Sequence, residues 1–130
     1  MKVLTIKEPF ATLIKNRVKY IETRSWKTNY RGELYIQAGV AKIRKEVKER
    51  EGLSELYNED ELNYGHIICK CNLVDCIYMT EEFIKKEKEN NMNNFIAGHY
   101  EVGRYAWVLE DVEPIIPIKV KGQLGIWNYK

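Results

Sequence analysis

Residues 66–79 read HIICKCNLVDCIYM, a strand signal well beyond the usual length of about five or six residues. Ile67, Cys69, Cys71 and Leu73 alternate with His66, Lys70 and Asn72, so the first half has one face to bury. After Val74 the alternation changes phase, which predicts a bulge or bend near Asp75. A long strand with a bend belongs to a sheet that curls. With short turns elsewhere, the expectation is an α+β fold: a small bent β-barrel, closed or half-closed. It would have five to six strands and two to three flanking helices.

Other strands are expected at 3–6 (VLTI), 20–25 (YIETRS), 33–38 (ELYIQA) and 104–112 (RYAWVLEDV). The last is nearly all apolar at its start and reads as central. Pro9 suits a helix first turn, where its missing N–H has no partner to lose. Phe10, Leu13, Ile14 and Val18 follow at helical spacing, and together these predict a short helix over 9–16. A charged helix is expected from Lys42 to Arg50, stopped near Gly52. Residues 53–64 are acidic and irregular, with room for a helical turn, and read as the most mobile loop. Thr80 is an N-cap candidate, with Glu81 and Glu82 favoured in the first turn by the helix dipole. That helix should end in a loop tip, NNMNN. Pro114 and Pro117 read as bracketing a crossing to a last strand or coil, IKVKGQLGIWNY. No repeat or linker divides residues 1–130, which read as one domain.

The formal net charge is only +2, but it is unevenly spread. Residues 1–50 hold 13 Lys and Arg against 5 Asp and Glu, and residues 51–113 hold 5 against 14. Such an asymmetry suggests a basic face for a polyanion; the plainer alternative is that charge follows solvated helices such as AKIRKEVKERE. No apolar run approaches the ~18 residues of a membrane span, and the opening residues lack the apolar core of a signal peptide. Three cysteines then fit a reducing cytoplasm better than a disulfide framework.

The densest cluster is KYIETRSWKTNYR, residues 19–31. Lys19, Arg24, Lys27 and Arg31 interleave with Tyr20, Trp26 and Tyr30. Cations hold phosphates and aromatic rings stack on bases, so the cluster suits single-stranded or flipped nucleotides. The alternative is a surface strand with Trp26 packed into the core. On a regular strand Glu22 and Arg24 share a face and could pair. Lys19, in the turn before it, could lean over the same pocket. Lys19 and Glu22 are thus candidates for an acid/base couple, or for an ordinary salt bridge. Arg104, at the mouth of the GRYAW strand, could clamp a phosphate or carboxylate, while Tyr105 and Trp107 read as core.

Cys69 and Cys71 fall on the apolar face of their strand, and the C-x-C-x4-C spacing does not suit zinc. The two histidines, His66 and His99, lie in no metal motif; His99, in the loop GHYEVG, could offer a polar contact. No Walker loop, GxGxxG, HExxH or GxSxG occurs, and no metal or cofactor is expected.

The opening LTIKEPFATLI, then Lys19, Glu22 and Arg24, then RSWKTNYRGELYIQAG, resembles the ASCH domain family. The strand GRYAWVLEDVEPI and the ending KGQLGIWNY match its closing motifs, so the resemblance runs along essentially the whole chain. It implies a PUA-like fold, with a cleft lined by the Lys19–Glu22–Arg24 segment and the first helix. It also implies a ligand that is RNA, another nucleic acid or a modified nucleoside. Carried onto this chain, the site residues are Lys7, Pro9 and Phe10 from the first motif, and Ser25, Trp26, Tyr30 and Arg31 from the second run.

Some positions depart from the pattern. Arg17 replaces the family glycine, so the turn before Lys19 should be built without a left-handed residue. Glu8, Phe10 and Gln37 stand where glutamine, tryptophan and histidine are usual, and all are expected near the cleft. One family branch resembles an amidohydrolase that deacetylates N(4)-acetylcytidine using a lysine, a threonine and a distant glutamate. Lys19 matches the lysine, Glu22 stands where the threonine would be, and Thr23 would face the other side of the strand. Another branch is associated with ribonuclease activity.

The leading expectation is therefore a cytoplasmic domain that binds RNA or a nucleotide in a basic cleft. Lys19, Arg24, Lys27 and Arg31 would hold phosphates. Trp26 or Phe10 would stack a base, and Glu22 would accept from a base edge or hold Arg24. The alternatives are a hydrolase acting on an acylated nucleoside through Lys19 and Glu22, and a module that contacts a protein partner through the acidic 51–64 loop or an apolar patch.

Overall fold

The computed structural model describes residues 1–130. Its six strands are β1 (Lys2–Ile6), β2 (Ile21–Arg24), β3 (Gly32–Ala38), β4 (His66–Tyr78), β5 (Tyr105–Lys119) and β6 (Ile126–Asn128). They form one sheet in the order β2-β5-β4-β3-β1-β6. β1 runs parallel to β3, and every other neighbouring pair is antiparallel. The sheet curls into a half-barrel, as an ASCH-like or PUA-like fold requires. Four short helices accompany it: α1 (Phe10–Lys15), α2 (Lys45–Lys48), α3 (Glu81–Asn90) and α4 (Met92–Ile96). None is long and apolar enough to cross a membrane.

The curl comes from bulges in the two longest strands. The β4–β5 register shifts between Ile67 and Cys69, between Lys70 and Asn72, and between Leu73 and Asp75. The third shift is the bend expected near Asp75. The first puts the consecutive residues Ile67 and Ile68 into different clusters, each fully buried. At the second, Asp111 and Val112 oppose the single residue Cys71, and Asp111 takes φ 54°, a left-handed conformation that Asp tolerates better than most. Bulges like these add twist, which turns a long ladder into a curved wall. Leu4, Leu34, Ile36, Cys69, Cys71, Leu73 and Trp107 fill the main core, and α1 adds Ala11 and Ile14.

Four local expectations need correction. β5 does not stop before Pro114: it continues to Lys119, with Pro114 opposite Cys69. Pairing with β2 ends at Val108, so the later half of β5 has a free edge, where a missing N–H costs little. The helix expected over 42–50 is a single turn, because Ile43 is drawn into the interior and Arg44 is extended. Residues 53–64 are an organised pair of 3-10 turns, Ser54–Leu56 and Glu59–Glu61. Leu53 is fully buried before the first, and Asn58 and Glu61 form a capping box on the second. The expected loop tip NNMNN instead feeds α4, because Asn94 is buried and accepts the N–H groups of Tyr20 and Ile21 at 2.9 and 3.2 Å. Thr80 does cap α3, accepting from the Phe83 N–H at 3.1 Å.

Candidate functional site

The site begins where α1 ends. The N–H groups of Val18 and Lys19 both bond the Leu13 carbonyl, which closes a tight turn. Arg17 adopts φ 62°, so the left-handed turn is kept despite the arginine. Its guanidinium donates to the Val112 carbonyl at 2.7 Å, and that bond offsets the backbone cost of about 1–2 kcal/mol. The turn delivers Lys19 inward. Its side chain is only 1% exposed, with Nζ 2.6 Å from the Ala97 carbonyl and 3.6 Å from Glu22 Oε1.

Two residues apart on β2, Glu22 and Arg24 share a face. Arg24 brings both Nε and Nη2 within 3.0 Å of Glu22 Oε2, and Nη2 also donates to the Thr5 carbonyl. Glu22 is thus flanked by two cations. Loss of hydration lowers the Lys19 pKa, while the Glu22 carboxylate opposes the shift and the Arg24 and Arg50 charges add to it. Lys19 is a buried ion-pair member and not a free phosphate ligand, which corrects its expected role.

This trio lies at one wall of a cleft of about 600 Å³. Lys7, Phe10, Lys19, Glu22, Arg24, Ser25, Trp26 and Arg104 all line it. Trp26 is 40% exposed, whereas Trp107 and Trp127 are buried. Its ring stands edge-on to Trp107, with centroids 4.7 Å apart, and its carbonyl accepts from Trp107 Nε1. So Trp26 is not a core residue. Phe10 is already occupied: the Lys19 ammonium and Arg50 guanidinium lie 5.6 and 5.5 Å from its ring centre. Arg104 donates through Nε to the His99 carbonyl and through Nη2 to the Thr23 carbonyl.

Lys27, Tyr30 and Arg31 fall outside the cleft, contrary to expectation. Thr28 is buried and its hydroxyl accepts the Tyr30 N–H, which turns the chain away. The Tyr30 hydroxyl then bonds the Glu33 carbonyl, and Arg31 caps the carbonyls of Thr28 and Tyr30 and lies 3.9 Å from Asp75. Lys27 remains a solvated side chain. Glu8 and Gln37 are also outside. Glu8 accepts from the Thr12 N–H and hydroxyl at 2.8 and 2.6 Å, and from the Asn63 N–H, so it fastens α1. Gln37 accepts from the Thr5 hydroxyl and donates to the Val120 carbonyl, bracing the wall from behind.

Other parts of the cleft were not foreseen. Arg50, Ala97, Gly98 and the turn Gln123–Gly125 come from distant segments, and Thr23 lines the cleft despite its alternation away from Glu22. The Thr23 hydroxyl accepts the His99 N–H at 3.0 Å, and His99 itself lies on the rim. A Cβ on Gly98 would lie 2.6 Å from Tyr100 Cε1 and 3.1 Å from Thr23 Cγ2, so this close passage requires glycine.

With the geometry in hand, comparison with known proteins gives three findings. A search of curated proteins found no match. The crystal structure of a ZmASCH mutant protein from Zymomonas mobilis superimposes with a TM-score of 0.54 at 15% identity, covering 92% of this chain and 75% of that one. At that identity the likeness concerns the fold. A family model for the ASCH domain matches residues 4–121, and the chain belongs to the ASCH domain family.

Proposed function

We propose that this protein binds RNA or a nucleotide in the cleft beside Lys19, Glu22 and Arg24. The observation that carries the reading is the placement of one exposed indole, Trp26, among cations that share its cleft: Lys7, Arg50 and Arg104. An aromatic face with nearby guanidinium groups is what a base and its phosphate require. The volume of about 600 Å³ accommodates a nucleotide and not a duplex. Within this reading the Lys19–Glu22–Arg24 trio braces the wall, and a ligand meets Trp26 and the rim cations. Because Trp26 is the exposed indole, its fluorescence reports the cleft. Titration with tRNA or single-stranded RNA should quench it, and added salt should weaken the binding. Absence of any salt-sensitive binding by wild type would overturn the reading.

A second reading rests on Lys19, held beside a carboxylate with its ammonium form disfavoured. Such a group could move a proton during hydrolysis of an acylated nucleoside such as N(4)-acetylcytidine. Acetate release that disappears in Lys19→Met would establish it, and no release by wild type would remove it.

A further inference from the structure

We infer that Arg50 is the oxyanion-reading residue of the cleft, and that it takes a phosphate group through the Nε–Nη2 edge of its guanidinium. The inference rests on the nucleotide-binding reading and assigns the phosphate within it. Three arginines line the cleft: Arg24, Arg50 and Arg104. The side edge of each guanidinium, formed by Nε and Nη2, presents two parallel N–H donors and matches two oxygens of a phosphate, as the Nη1–Nη2 end also does. Arg24 has used this edge on Glu22 Oε2. Arg104 has used it on the carbonyls of His99 and Thr23.

Arg50 is held differently. It is anchored through Nη1 alone, which donates to the Ile96 carbonyl at 2.9 Å and to the Gly98 carbonyl at 3.4 Å. Those carbonyls flank the Ala97 carbonyl that holds Lys19, at the end of α4. The Phe10 ring packs beneath the guanidinium at 5.5 Å. Nothing in the protein bonds Nε or Nη2, and no carboxylate pairs with the charge. Arg50 is therefore oriented, half-buried and electrically unbalanced, with its two-donor edge unspent. Orientation before binding lowers the entropy cost of capturing an anion. Lys7, on the same cleft, adds positive potential without a competing fork.

The phosphate could be a terminal group of a mononucleotide or a diester of an RNA strand, and the probes separate these sources. Calorimetry would compare uridine, uridine 5′-monophosphate and the dinucleotide UpU, which has only an internal diester. Wild type and Arg50→Lys would be measured, with Lys27→Ala as a control outside the cleft. Arg50→Lys keeps the charge and loses the fork. It should weaken a phosphate-bearing probe about tenfold while leaving uridine unchanged. A loss confined to the monophosphate assigns a terminal phosphate, and a loss shared with UpU assigns the diester. Equal weakening of uridine and its phosphates would mean that Arg50 only supports the cleft, and would overturn the inference. A circular-dichroism melt of Arg50→Lys would show whether the fold is intact. If no nucleotide probe binds wild type, titration with inorganic phosphate separates the two failures. An Arg50-dependent response retains the anion fork and discards the nucleotide reading, and no response discards both.

Discussion

Single residues set the electrostatics of this molecule by where they are forced to sit. Arg17 occupies a left-handed position that a glycine would take without strain, and its guanidinium bonds the Val112 carbonyl. Arg17→Ala loses the bond and keeps the strain; Arg17→Gly loses the bond and releases the strain. The glycine variant should be the more stable of the two by about 1 kcal/mol in urea unfolding. Burial also creates two opposed alkaline effects. The Lys19 ammonium is disfavoured in the fold, so the unfolded chain binds its proton more tightly. Its cost is present at neutral pH and is relieved as pH rises toward the ordinary lysine value of 10.5. Tyr20 is the reverse: burial first, then the Glu87 carboxylate, push it up to about 12. Its contribution is complete below its ordinary value of 10.0 and is lost as pH rises toward about 12. Tyr20→Phe should therefore flatten the fall in urea midpoint between pH 10 and 12, and an unchanged slope would contradict this assignment.

At the scale of elements, the cleft depends on how α4 is fastened to β2. Asn94 accepts the Tyr20 and Ile21 N–H groups and donates to Glu87 and to the Tyr100 hydroxyl. Burial pushes the Tyr100 hydroxyl up, which keeps it neutral beside that amide. Three residues on, the Ala97 carbonyl meets Lys19. Asn94→Ala would strand one buried and one part-buried backbone donor and should cost about 3 kcal/mol. It should also weaken RNA binding beyond any effect on unfolding, because the carbonyls that orient Lys19 and Arg50 move with α4. Measuring affinity well below the variant's melting temperature separates the two effects. The cap of α3 is a smaller device: Thr80→Ala should lower stability by about 1 kcal/mol and leave binding unchanged.

Across the whole molecule, charge is sorted by sequence and then re-sorted by folding. The basic first 50 residues supply Lys7, Lys19, Arg24 and Arg50 to the cleft. The acidic middle segment supplies only neutral groups, His99 and Arg104 to it. If RNA lies across the cleft and meets about three phosphates, the logarithm of affinity should fall with the logarithm of salt at a slope near −2. A slope of zero would mean that a neutral nucleoside, and not a strand, is the ligand.

The alternation in HIICKCNLVDCIYM and its change of phase at Val74 were enough to specify a bent central strand, and with it a curled sheet, since a pleat exposes its burial pattern residue by residue. The pairing of Glu22 with Arg24 was legible for the same reason, as strand period places them side by side. Length of pairing was not legible: Pro114 and Pro117 read as a stop, and only the absence of a β2 neighbour at that edge made them tolerable in β5. Exposure was not legible either. Trp26, Lys27 and Arg31 look alike in the chain, yet Trp26 lines the cleft, Lys27 is solvated and Arg31 is spent on the Thr28 and Tyr30 carbonyls. Arg50 looked like a solvated helix end because nothing local records its two carbonyl partners, 46 and 48 residues away. Local periodicity determines which strands form and which faces they bury. The long-range packing of α4, β2 and the segment ending at Arg50 decides which cations keep a free donor edge, because that depends on acceptors the neighbouring sequence does not contain.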